Sequence, residues 1–297
     1  MRKLRFEEFE RNSLTVFAIS MIANVLSYLY QIVMGNMLTP ADYGTVNTLL
    51  SLSVVVGVPS GVVAALTATY TAKYHAHGET AALAAFMHRM LRAAAVLAAA
   101  VFAVGALLSL PIAHVLQIDE PWYVTTVMIL VASNCLGSVF SSTLQGVKRF
   151  VPYSMNSVLS FALRLLLGTA FVWLGWGIAG ALAALILSAC LAMLYCLYKS
   201  RDLFFAPKTE QLHLDRDEVR RYFVSTFWFQ LFLLLMANGD VLLIKTFAAD
   251  PAEVGIYSSG SVIGKISLYL ANAIVPVLLP MVAERQSTGH DTRQLLK

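Results

Sequence analysis

Hydrophobic residues run in long stretches along this chain, and polar residues gather in the connections between them. The stretches cover about 12 to 37, 45 to 72, 93 to 116, 121 to 144, 151 to 174, 178 to 198, 222 to 247 and 254 to 282. A helix rises about 1.5 Å per residue, so about 20 apolar residues cross the hydrocarbon core of a bilayer, and each stretch reaches that length. The pattern predicts an all-α polytopic membrane helical bundle with eight transmembrane helices. The first stretch is long and is followed by no small-residue cleavage site, so it reads as a retained helix rather than a leader peptide.

The basic residues sort onto alternate connections. Arg2, Lys3, Arg5 and Arg11 precede the first stretch, Lys73, Arg89 and Arg92 lie between the second and third, and Lys148 and Arg149 between the fourth and fifth. Lys199, Arg201, Lys208, Arg216, Arg220 and Arg221 join the sixth to the seventh, and Arg285, Arg293 and Lys297 form the tail. Of the 21 Lys and Arg, only Arg164, Lys245 and Lys265 fall elsewhere. The opposite turns carry acids instead: Asp42, Asp119, Glu120, Asp250 and Glu253. The positive-inside rule then predicts that both termini are cytoplasmic. Charged residues make up 13% of the chain, against about 25% in soluble domains. The net charge of +4 belongs to the cytoplasmic flanks, so it points to membrane lipid headgroups and not to nucleic acid.

Two acidic-side turns share a pattern. Pro40-Ala41-Asp42-Tyr43-Gly44 follows the first stretch and Pro251-Ala252-Glu253-Val254-Gly255 follows the seventh. Each opens a helix, with Pro fitted to the first turn and the acid close to the positive end of the helix dipole. A repeat with the same orientation in the membrane is related by an axis along the membrane normal. It divides the chain into a first lobe of six helices, 1–198, an amphipathic cytoplasmic linker, 199–221, and the start of a second lobe, 222–297. The alternative is a generic helix-start turn used twice.

The stretch Met37-Leu38-Thr39-Pro40-Ala41-Asp42-Tyr43-Gly44 resembles the turn after the first helix of the O-antigen and polysaccharide flippases, in the multidrug/oligosaccharidyl-lipid/polysaccharide exporter superfamily. Gly239-Asp240-Val241-Leu242-Leu243-Ile244 with Gly255-Ile256-Tyr257-Ser258 is similar to their seventh-to-eighth helix hairpin. The resemblance implies a two-lobed transporter of the cell inner (plasma) membrane, whose central cavity opens alternately to either side. It also implies the cargo, an undecaprenyl-pyrophosphate-linked oligosaccharide carried to the outer leaflet, and polysaccharide assembly proteins as possible partners. Relative to that family the chain is C-terminally short, holding one lobe and the first hairpin of the next.

Charges inside the membrane call for a protein or water environment. Asp240 and Lys265 stand about equally far from the turn at Pro251 on antiparallel helices, which predicts a structural or gating ion pair between them. Lys245, near the outer end of its helix, is expected to snorkel to the headgroups. Arg164 sits mid-helix on a polar stripe with Asn156 and Ser160. A guanidinium there suits a pyrophosphate, because its planar fork stays charged and donates paired hydrogen bonds. It equally suits a structural Arg bonded to helix carbonyls or to Asp240. Asn24, Ser27 and Gln31 form a softer polar stripe, fitted either to sugar hydroxyls or to bridging neighbouring helices. Ser261, Lys265 and Asn272 suggest one more polar wall in the eighth span.

Glycine and proline at Gly57, Pro59 and Gly61, and at Pro276 and Pro280, mark places for helix bends. The alanine-rich third span offers a smooth face for close packing. Cys135, Cys190 and Cys196 lie within apolar spans at no metal or disulfide spacing, and His75 and His77 lack ligand partners nearby. No phosphate-cradling glycine loop or paired carboxylates are present, so neither an ATPase nor a metal-dependent transferase is expected, and no cofactor. The reading is a flippase for undecaprenyl-pyrophosphate-linked oligosaccharide. The alternatives are a cation-coupled drug exporter of the same superfamily and a truncated, non-transporting membrane partner of a glycan assembly complex.

Overall fold

The computed structural model of the chain describes residues 2–204 and 216–265, and every regular element among them is helical. In order these are α1 (Arg2–Met37), α2 (Pro40–Val56), α3 (Val58–Ala76), α4 (Thr80–Leu107), α5 (Ser109–Val115) and α6 (Pro121–Gly146). They continue as α7 (Phe150–Phe171), α8 (Gly177–Phe204), α9 (Arg216–Phe247) and α10 (Pro251–Gly264). The chain is a multi-pass membrane protein: five helical segments are long and apolar enough to span a bilayer, six with the bent pair α2–α3. One of the five, Phe150–Phe204, contains both α7 and α8. It reverses through a π-turn, Val172–Trp176, where Gly175 (φ 86°) and Gly177 (φ 51°) adopt left-handed backbone open to glycine, and α8 returns packed along α7. The second half of the predicted eighth span, with Asn272, Pro276 and Pro280, lies outside the described residues, as does linker segment 205–215.

Local sequence sets the helix starts. Thr39 Oγ1 accepts from the Asp42 amide at 3.2 Å and Pro40 begins α2; Asp250 Oδ1 accepts from the Ala252 amide at 2.8 Å and Pro251 begins α10. The two repeated turns therefore use one device. The second span bends by 48° between α2 and α3, at Gly57. Pro59 in the first turn of α3 has no amide to return to α2, so the ladder breaks where the sequence places glycine and proline together. The third span differs from its predicted limits: α4 starts at Thr80, on the basic side, and yields at Leu108 to the short α5.

Helix α6 is the hub, flanked by α3, α4 and α8, while α1 packs along α7. Alanine and glycine let these backbones approach. Ala94 and Ala98 of α4 are buried against α6, where Cys135 Sγ donates to the Ala94 carbonyl at 3.5 Å. A β-carbon at Gly105 would stand 2.4 Å from the Met128 side chain. On the basic side Arg149, just ahead of α7, forks onto both carboxylate oxygens of Asp202 and donates to the Lys199 carbonyl at 3.0 Å, tying α7 to the end of α8.

Helices α9 and α10 lean on the bent span rather than chiefly on one another, α9 against both α2 and α3 and α10 against α2. At the acidic ends the two repeated turns meet. A β-carbon on Gly44 would lie 2.7 Å from the Gly255 nitrogen, and one on Gly255 only 1.9 Å from the Pro40 carbonyl oxygen.

Candidate functional site

Helix α7 carries Asn156, Ser160 and Arg164 on successive turns, yet the bundle gives them two settings. The guanidinium carbon of Arg164 lies 4.1 Å from the centroid of the Tyr30 ring on α1. Gly168, one turn on, makes room for that ring: a β-carbon there would be 3.0 Å from Tyr30 Cε2. A cation over an aromatic face is attracted by the ring quadrupole, most strongly where water is excluded. Tyr30 is 1% exposed. Its hydroxyl and Arg164 Nε are both enclosed without a hydrogen-bond partner among the described residues. Among the described residues the arginine has neither a helix carbonyl nor Asp240 as hydrogen-bond partner. Two buried donors left open at intramembrane depth are the feature of this region that a bound anion would answer.

Asn156 and Ser160 instead line a cavity of about 200 Å³ between α6, α7 and α8, together with Ser133, Asn134, Ser138 and Ser141. The hydroxyls of Ser133, Ser138 and Ser141 donate back to carbonyls of α6, and Asn156 Oδ1 is enclosed without a donor. Their lone pairs make this wall rich in acceptors and free of charge, a surface that favours hydroxyl donors. On α1, Gln31 Oε1 accepts from the Tyr43 hydroxyl at 3.3 Å, so this residue bridges α1 to the repeated turn of α2. Asn24 is half-buried lower on α1. Of the five candidate binding residues, this cavity holds Asn156 and Ser160.

Asp240 and Lys265 do not form the expected ion pair. Asp240 Oδ2 accepts from Tyr257 Oη at 3.0 Å and Ser261 Oγ at 3.2 Å, whereas Lys265 Nζ donates to Asn238 Oδ1 at 3.2 Å. Tyr257, Ser261 and Lys265 follow one another at four-residue spacing on α10, so the register sets Lys265 a turn beyond the carboxylate, opposite Asn238. Lys245 departs from expectation as well. It does not snorkel: it is 3% exposed and donates to Thr45 Oγ1 of α2 at 3.3 Å, because α2 covers this side of α9. Beside it Gln117 Nε2 donates to the Thr246 carbonyl at 3.2 Å, a second link between α9 and the first six spans.

Residues 9–286 match the polysaccharide biosynthesis protein family, nearly the whole chain. The chain belongs to that family. None of the curated proteins searched matches it. The chain has the fold of transporters of the multidrug/oligosaccharidyl-lipid/polysaccharide superfamily. An inward-facing multidrug resistance MATE family transporter of the MOP superfamily superposes with a TM-score of 0.66 at 15% identity, over 90% of this chain and 63% of that one. The Vibrio cholerae MATE transporter VcmN in the bent form gives 0.60 at 15% identity, over 93% and 66%. The eukaryotic MATE transporter AtDTX14 gives 0.54 at 17%, over 96% and 67%. The chain therefore spans less than two thirds of the first two.

Sequence reasoning missed Tyr30, Tyr257 and the Thr45–Lys245 contact. A signal existed for the first: Gly168 lies one turn beyond Arg164 and leaves room on α7 for side chains of a neighbouring helix, which Tyr30 and Met34 approach.

Proposed function

We propose that this protein is a flippase for an undecaprenyl-pyrophosphate-linked oligosaccharide, working by alternating access between a first lobe, 1–198, and a second that begins at 222, joined by the linker 199–221. The observation that carries the reading is the Arg164–Tyr30 pair: a guanidinium inside the membrane, stacked on a ring, with no carboxylate partner among the described residues and an open Nε. A pyrophosphate supplies the acceptor oxygens those donors lack. Asn156 and Ser160, on an acceptor-rich wall, take sugar hydroxyls, with Asn24 and the free amide of Gln31 as further contacts. The prenyl tail stays in lipid while the two lobes exchange access, and cargo shifts their populations. The Asp240–Tyr257–Ser261 and Lys265–Asn238 contacts brace the second lobe's hairpin.

A cationic drug is disfavoured as cargo, since Arg164 would repel it at short range. The test is translocation of a fluorescent undecaprenyl-pyrophosphate oligosaccharide in liposomes holding the chain. Arg164→Ala should abolish flipping, and Arg164→Lys should retain part of it, because lysine keeps the charge but loses the bidentate fork. Full activity of folded Arg164→Ala refutes the role of this residue. A folded wild-type chain that never flips the probe favours the non-transporting partner of a glycan assembly complex.

A further inference from the structure

A second cavity, of about 280 Å³, opens between α3, α4 and α9 near their basic-side ends, away from the α1–α7 pair. Its floor is apolar, built from Leu66, Tyr70, Phe86 and Phe223, and its rim carries Arg89 from α4 and Arg220 from α9. Lys73 adds a third cation, its Nζ 5.9 Å from the Tyr70 ring. The depth follows from the helix ends. Tyr70 lies about 9 Å of helical rise inside the end of α3, and Arg220 is about one turn into α9. Arg89 stands about 14 Å of rise into α4. Helix side chains, however, tilt toward the N-terminus, here the basic side, so both guanidinium groups are placed to reach headgroup level above a floor at the edge of the hydrocarbon.

Among the described residues neither arginine is committed to a buried partner. Arg89 is exposed, with no carboxylate in ion-pair distance among the described residues. Among the described residues Arg220 pairs with Asp217 of its own helix, at 3.6 Å, with side chains 78% and 75% exposed, so solvent screens that pair. An apolar floor under a doubly cationic rim, at this depth, complements one kind of molecule: a phosphate carried on hydrocarbon. Free phosphate would leave the floor in water, and a zwitterionic head would set its own cation against the arginines.

We propose that this crevice binds one anionic glycerophospholipid of the cytoplasmic leaflet, its phosphate held by Arg89 and Arg220 and the upper part of an acyl chain on the aromatic floor. Because α3 and α4 precede the linker and α9 follows it, the bound lipid touches both parts of the bundle at their basic ends. The assignment stands apart from the cargo site and does not require the protein to be a flippase.

The test uses the full chain reconstituted in phosphatidylglycerol or phosphatidylcholine vesicles, extracted gently, and weighed intact by native mass spectrometry. Wild type should retain one phosphatidylglycerol and no phosphatidylcholine. Arg89→Gln with Arg220→Gln should lower retention about thirtyfold, from the loss of two headgroup-level charges. Met90→Trp, which fills the cavity and keeps both arginines, should lower it as well, so the question stays answerable where the double variant fails to fold. Wild-type retention in both folded variants overturns the proposal, as does equal retention of phosphatidylcholine. Displacement by inorganic phosphate reassigns the rim to a free anion, and displacement by equimolar polyprenyl pyrophosphate makes the crevice a cargo site; either result also overturns it.

Discussion

The contact between the two repeated turns gives a sharp test of alternating access, through Gly255→Ala. The added β-carbon would stand 1.9 Å from the Pro40 carbonyl oxygen, 2.7 Å from its carbon and 3.0 Å from its α-carbon. These are backbone atoms, which cannot swing aside as a side chain does. Restoring an ordinary separation of about 3.5 Å means parting α10 from α2 by roughly 1.5 Å. Overpacking of this kind costs about 1 to 3 kcal/mol, near 2 at the middle of that range. The helix propensity of alanine drops out, because α10 is helical in both states. About 2 kcal/mol against the state with outer ends closed raises the population open at that end about thirtyfold.

Ser258 reports on the opening, since it is 1% exposed and one turn beyond Val254 on the buried face of α10. In a chain carrying Ser258→Cys, with Cys135, Cys190 and Cys196 replaced, a membrane-impermeant maleimide added outside should label slowly. Gly255→Ala should speed labelling by about the population factor of thirty. Gly260→Ala is the control on the same helix: its β-carbon meets nothing within 4 Å, so it should stabilise slightly and leave labelling unchanged. A folded Gly255→Ala protein labelled at the wild-type rate refutes the reasoning, because the close approach would then hold nothing shut.

How much of this was legible depends on which physics sets each feature. Bends and helix starts are local: Gly57 with Pro59, and the helix starts at Pro40 and Pro251, were readable, whereas the described residues hold five spans, or six with the bent pair, and α4 starts at Thr80, ahead of the stretch read for the third span. Close packing of Ala94 and Ala98 was readable too, because small residues are what let helices meet in lipid. Side-to-side choices were not. A membrane helix is apolar on most faces, so hydropathy does not say which neighbour a given face meets. Arg164 was found as an unusual charge, yet its partner Tyr30 lies on a helix far off in sequence. Lys245 near a helix end reads as a snorkelling residue until α2 is seen to cover it. The Asp240 register missed by a single turn, which counting residues from a loop cannot resolve when the loop's own geometry is unknown.

Two further perturbations bear on the same helices. Asp202→Asn removes the carboxylate that Arg149 grips, but the pair is partly exposed, at 40% and 52%, so the loss of stability should be about 0.5 to 1 kcal/mol and fade in high salt; a thermal midpoint that falls equally at low and high salt would contradict an electrostatic cause. Thr45→Val takes away the hydroxyl that holds Lys245 Nζ in a site 3% exposed, and should destabilise by about 1 to 3 kcal/mol, the cost of a buried polar group left unpaired. Lys245→Met on top of it should recover most of that loss, since the stem still fills the space between α9 and α2 while no charge remains to be solvated. A double variant no more stable than Thr45→Val alone would mean that the threonine acts through α2 itself, where its Oγ1 also donates to the Ala41 carbonyl at 3.0 Å, and not through the lysine.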